Sequence, residues 1–103
     1  MAPLREQLDG VVTKIATAYR EVGADGGASP VLVAVVREFE AKAEKARKAV
    51  VGDDAGTREA IVELEQAGDS AKAAAEADPG VGGAGRQAVL DAHLAICMLK
   101  ATM

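Results

Sequence analysis

Glycine and proline cluster at three places in this chain, and no strand-like alternation of apolar and polar residues lies between them. The clusters read Gly23-Ala24-Asp25-Gly26-Gly27-Ala28, Gly52-Asp53-Asp54-Ala55-Gly56 and Asp78-Pro79-Gly80-Val81-Gly82-Gly83. Because such clusters end regular structure, they divide the chain into four segments of about 20 residues, each enough for a helix of about 30 Å. With 103 residues there is material for one hydrophobic core, so residues 1–103 are expected to form a single helical-bundle domain.

Each segment repeats its apolar residues at helical period. In the first, Leu4, Leu8, Val11, Val12, Ile15, Tyr19 and Val22 share a face, with Glu6, Thr13, Thr17, Arg20 and Glu21 opposite. The second opens on Ser29-Pro30, an N-cap residue followed by proline at the first helical position, and continues Leu32, Val35, Val36, Phe39, Ala43, Ala46, Val50. Glu38 with Lys42 and Glu44 with Lys48 stand at i, i+4 in the favourable order. The third carries Thr57, Ile61 and Leu64, then only Gly68, Ala71 and Ala75. A face that small stabilises packing only if its neighbour approaches closely, and a close crossing would offset the helix propensity lost at Gly68. In the fourth, Val89, Leu90, His93, Ile96 and Cys97 share a side, and Leu90 is expected in the core with His93 at the middle of the face.

These spacings predict an all-α fold, an antiparallel up-down-up-down four-helix bundle with helices near 3–22, 29–50, 55–77 and 84–102. Short connections make successive helices antiparallel neighbours. A three-helix bundle with a partly frayed third segment is the alternative. Beyond the shared helical period no internal repeat is expected, and the segments share no evident motif.

Composition narrows function. The chain has 23 alanines, no Trp, one Tyr and one Phe, so aromatic platforms for nucleic-acid bases are nearly absent. A net charge of −4 argues further against a polyphosphate partner. One cysteine forms no intrachain disulfide, and one cysteine with one histidine cannot write a zinc-finger spacing. The N-terminus lacks the pattern of a signal peptide, and the longest apolar runs, Val31–Val36 and Leu94–Leu99, are too short to span a bilayer. A cytoplasmic protein is expected. Residues 35–50 balance to +2 and residues 53–78 to −6, which suits two adjacent antiparallel helices of complementary charge or an acidic docking face.

Motifs that would carry chemistry are sparse. Gly80-Val81-Gly82-Gly83-Ala84-Gly85-Arg86 contains G-x-G-x-x-G, but no strand precedes it, so a nucleotide site is not expected. Its glycines are expected to serve a turn at positive φ, and the amides of Gly82 to Gly85 with Arg86 could also hold an anion. His93 and Cys97, one helical turn apart, are the only soft-ligand side chains. They form a ligand site only if a carboxylate joins them from another helix, and no acidic residue reads as inward-facing, so they are expected to be a satisfied core histidine beside a buried thiol. Neither a resident metal nor a cofactor is expected. A histidine-phosphotransfer role fails because Ile96 stands where that motif needs lysine, and a di-iron centre fails on the single histidine. Ser29 and Ser70 have no histidine at recognisable spacing, so catalytic residues are not expected.

Surplus apolar residues remain. Val31 and Val33 in the second helix and Met98 and Leu99 in the fourth lie off their main stripes and form the expected interface with another protein chain. The leading expectation is a non-catalytic interaction protein, a small adaptor, regulator or assembly subunit acting through self-association or a partner-binding face. A small-molecule or metal-binding bundle with its site near His93 and Cys97 is the alternative, and an amphipathic coat protein of lipid or polymer granules a further one.

Overall fold

The structure, a computed structural model, describes residues 3–50 and 55–103. Four helices account for nearly all of them: α1 (Leu4–Ala24), α2 (Pro30–Ala49), α3 (Ala55–Ala77) and α4 (Gly83–Ala101). The expected break at Gly52-Asp53-Asp54 lies outside the described residues. Each helix packs on two others in the cyclic order α1, α2, α3, α4, the arrangement of an antiparallel four-helix bundle. Among the described residues there is no strand, and α3 is continuous with Ile61, Leu64, Ala71 and Ala75 buried, which excludes the three-helix alternative. No helix among the described residues is long and apolar enough to cross a membrane.

The helix starts obey local chemistry. Ser29 caps α2, its Oγ accepting from the Leu32 amide at 3.1 Å, with Pro30 at the first helical position. Arg86 closes the end of α3, donating from Nε to the Ala75 carbonyl and from Nη2 to the Asp78 carbonyl. Lys45 of α2 meets Glu63 of α3, the cross-helix complementarity expected from the charge balance. Glu44 pairs with Arg47 at i, i+3 rather than with Lys48.

The core reveals a repeat that the sequence had not suggested. Buried positions of α1 (Leu8, Val11, Ile15, Ala18, Val22) recur in α3 as Ile61, Leu64, Gly68, Ala71 and Ala75, each 53 residues further along. Those of α2 (Leu32, Val36, Phe39, Ala43, Ala46) recur in α4 as Gly85, Val89, Ala92, Ile96 and Leu99 at the same offset. The molecule is therefore two helical hairpins in one register, related by a pseudo-two-fold axis. Few identities survive because what repeats is burial, not side-chain volume: Ile15 corresponds to Gly68 and Phe39 to Ala92. Volume is instead complementary across the axis. A methyl group on Gly68 would lie 3.1 Å from Phe39 Cζ and 3.3 Å from Ile96 Cγ2, so the glycine is the notch that admits both side chains.

The tops of the hairpins are locked by a crossed pair of carboxylates. Asp25 accepts from its own loop at Gly27 N (2.9 Å) and from the other hairpin at Gly82 N (2.6 Å). Asp78 does the same with Gly80 N (2.9 Å) and Ser29 N (2.8 Å). Each carboxylate sits at the N-terminus of the opposite hairpin's second helix, where the backbone dipole favours negative charge. Gly27 and Gly80 face each other so closely that a Cβ on either would overlap the other's carbonyl oxygen. Close approach, not positive φ, is what these loops require, since no described glycine has positive φ. Asp78 also corrects the expectation that every acidic residue faces outward: it is buried, with its oxygens satisfied by amides.

Two measurements check this account. Gly68→Val is expected to cost about 1–3 kcal/mol in urea unfolding by overpacking the notch, whereas Gly10→Ala, at an open site within α1, gains roughly 0.8–1 kcal/mol from propensity. The amide bonds hold Asp25 and Asp78 below the ordinary carboxyl value of 3.8 when folded. Their stabilisation is thus complete above that value and is lost as pH falls below it. The Asp25→Asn/Asp78→Asn double variant should unfold more readily at neutral pH but lose less stability than the parent on acidification.

Candidate metal centre

α3 and α4 are adjacent and antiparallel, and their shared flank collects the polar side chains that the core excludes. On α4 the buried seam runs Gly85, Val89, Ala92, Ile96, Leu99. His93 therefore stands beside the seam, with its side chain 18% exposed, and Leu90 is only half-buried. Both were expected in the core; the seam lies about a quarter turn further round the helix. Asp69 of α3 faces His93, its Oδ1 accepting from His93 Nε2 at 2.7 Å. Cys97, one turn on, places Sγ 3.5 Å from the same nitrogen. The carboxylate oxygen, imidazole nitrogen and sulfur all lie within 4.8 Å of one another.

Asp69 is the residue the sequence reasoning missed. The carboxylate required from another helix is present, but it is exposed, and a search for inward acids passes over it. The only signal available was that Asp69 follows Gly68, where the sequence suggested a close crossing. At the corresponding positions of the first hairpin stand Ala16, Glu40 and Glu44. The soft donors are thus confined to one half of the pseudo-symmetric molecule.

The arrangement of the three groups decides between two kinds of chemistry. A Cys-His-Asp relay needs the thiol on one ring nitrogen and the carboxylate on the other, so that a proton can pass through the imidazole. Here the carboxylate is on Nε2, and the sulfur is nearer that same nitrogen, at 3.5 Å, than Nδ1, at 4.0 Å. A carboxylate only accepts, so its short bond assigns the proton to Nε2 and leaves that nitrogen no lone pair for the thiol. Burial pushes the Cys97 thiol above its ordinary value, and the carboxylates of Glu65 and Asp69 push it further, against the opposing pull of Lys100 and Lys72. Cys97 is half-buried rather than buried as expected, and a thiol kept protonated is a poor nucleophile.

Convergence on one point is instead what a chelated cation needs. A tetrahedral ion with bonds of about 2.0–2.3 Å holds its ligand atoms roughly 3.3–3.8 Å apart. Side-chain rotation that relaxes the hydrogen bond between Asp69 and His93 brings the set toward that spacing. One sulfur, one nitrogen and one oxygen suit a borderline divalent cation of the zinc class rather than calcium or magnesium.

The other candidate residues distribute differently. Val31 and Met98 are 68% and 61% exposed, but Val33 packs partly against the core and Leu99 is buried. Leu99 continues the seam three residues after Ile96, so its assignment to a free interface is corrected. Leu94, not singled out from sequence, is 57% exposed. In the loop between α3 and α4, two of the groups expected to hold an anion are engaged within the fold: the Gly82 amide donates to Asp25, and Arg86 donates to the carbonyls of Ala75 and Asp78. A groove of about 330 Å³ between α2 and α3, lined by Ala34, Val35, Glu38, Ala67 and Ser70, brings no histidine to Ser70. No family model, curated protein or solved structure matches the chain.

Proposed function

We propose that this protein is a non-catalytic helical bundle that binds a divalent cation of the zinc class through Asp69, His93 and Cys97. The single observation that carries the reading is the convergence of three different donor atoms from two helices on one point at the α3–α4 flank. His93 supplies an uncharged nitrogen, Asp69 one negative charge, and Cys97 a second once the ion displaces its proton. The helices bring the donors together, because His93 and Cys97 share one face of α4 and Asp69 of α3 already bonds His93. The partly exposed Asp69 gives the ion a route in from solvent. Nothing in the arrangement supplies a nucleophile with its base, so binding rather than turnover is the activity proposed.

The measurement is titration of the reduced protein with zinc and with cobalt. One equivalent should bind, with a near-ultraviolet thiolate absorption in the cobalt form that Cys97→Ser removes and stoichiometric binding that His93→Ala abolishes, both variants keeping their helical circular dichroism. Affinity should rise roughly tenfold per pH unit while the thiol still has a proton to release. Absence of one-equivalent binding by folded, reduced protein would remove the reading.

A second reading is the interaction protein expected from composition. Leu94 and Met98, one turn apart on the outer side of α4, support it, with Val31 exposed at the start of α2. Met98→Glu should then lower the mass in solution without loss of helicity; an unchanged monomeric mass in the parent protein refutes self-association. A coat protein of lipid or polymer granules would need the helices to turn their apolar faces out of the bundle.

A further inference from the structure

Packed core lies on one side of the three donors and solvent on the other. Gly68, Ala92 and Ile96, each the chain neighbour of one donor, are buried, so no further ligand reaches the group from within. Among the described residues no other histidine, cysteine or carboxylate joins it. Glu65, one turn before Asp69, accepts from Lys100 Nζ at 2.9 Å, and Glu76 is paired with Lys72 at 3.5 Å. Asp69, whose side chain is 61% exposed, marks the open side. The α4 rim of that opening is apolar. Leu94, three residues before Cys97 and its neighbour on the helix surface, is exposed, and so is Met98 one turn beyond Leu94. On α2, 53 residues earlier, the equivalent positions are Ala41 and Lys45. The second hairpin thus carries an exposed apolar pair that the first does not, and carries it beside the donors.

Resting on the metal-binding reading, we propose that this flank docks a histidine-bearing segment of another protein, whose imidazole completes the coordination of the ion. Three protein donors leave a tetrahedral ion one position, and with the core side closed that position faces solvent. Charge selects the donor. One thiolate and one carboxylate already neutralise a divalent ion, and residues 53–78 balance to −6, so a further anionic donor is repelled where an uncharged one is not. Among uncharged side chains, imidazole is the one best suited to a zinc-class ion. A second copy of this chain has no imidazole to spare, because His93 is its only histidine. The same surroundings describe the rest of the segment: an apolar side chain near the histidine covers Leu94 and Met98, and basic residues face α3. On docking, a neutral imidazole displaces a water from the ion, so no proton is transferred and the charge of the centre is unchanged.

The test titrates the full-length protein, metal-free and loaded with zinc or cobalt, with three synthetic peptides of equal length. The first sets lysines and leucines around a single histidine, the second has alanine for that histidine, and the third has glutamates for the lysines. The loaded protein should bind the first roughly a hundredfold more tightly than the second, and more tightly than the third, while the metal-free protein should not distinguish the first two. Binding should shift the visible bands of the cobalt form and leave its near-ultraviolet thiolate absorption in place. Free imidazole should reproduce the shift only at far higher concentration. Leu94→Gln should take up cobalt as the parent does yet hold the first peptide less tightly. Equal affinity for the histidine and alanine peptides, or cobalt bands that do not respond, overturn the proposal. Loss of the thiolate absorption, which means that the peptide strips the ion, overturns it too, as does preference for the glutamate peptide or equal binding of free imidazole. All of these are distinct from failure of the metal-binding reading, in which the parent protein itself takes up no ion.

Discussion

The contact of Phe39 and Ile96 with the bare backbone of Gly68 is the constraint on which the rest of the bundle depends. Phe39 is the bulkiest fully buried side chain among the described residues, and its ring lies where a Cβ on Gly68 of α3 would crowd it. An alanine-rich helix contributes little apolar area per residue, so α3 stabilises the fold by letting larger neighbours come close. Asp69, the next residue, reaches α4 through its bond to His93.

At the other level of control, the two loops hold the hairpins in register. Asp25 and Asp78 each satisfy one amide of their own loop and one at the start of the opposite hairpin's second helix. The Gly27–Gly80 contact excludes any side chain at that crossing. The pseudo-two-fold relation follows from these paired requirements, yet the two halves are not interchangeable. Phe39 of the first hairpin meets Gly68 of the second, whereas the first hairpin has Ile15 at the position of Gly68, so two copies of the first half would bring Phe39 against a side chain. Chemistry is divided in the same way: Asp69, His93 and Cys97 all belong to the second hairpin, and their counterparts in the first are Ala16, Glu40 and Glu44.

What the α3–α4 flank does with its donors turns on a single ring nitrogen. Were Cys97 and Asp69 on opposite sides of the imidazole, the trio would resemble a nucleophile with its base. Instead the carboxylate is on Nε2 and the sulfur is nearer that nitrogen than Nδ1, so the two crowd one side of the ring. The neighbouring Lys100–Glu65 pair extends the polar strip along the flank.

Helical period, the Ser29-Pro30 start and the glycine clusters were enough to determine the number of helices and their limits to within about two residues, because these signals act over one turn of backbone. The buried faces of α1 and α2 were likewise legible in their large apolar residues. On α4 the reading slipped: alanines and a glycine make up much of the seam, and a stripe without bulk gives the eye no phase, so His93 and Leu90 were placed inward and Leu99 outward. The internal repeat escaped notice because it conserves burial while exchanging volume, and only the packed core shows which position each residue fills. The carboxylate beside His93 was decided by tertiary structure alone: Asp69 lies 24 residues away on another helix, and no pattern local to α4 could say which residue of α3 would face the imidazole.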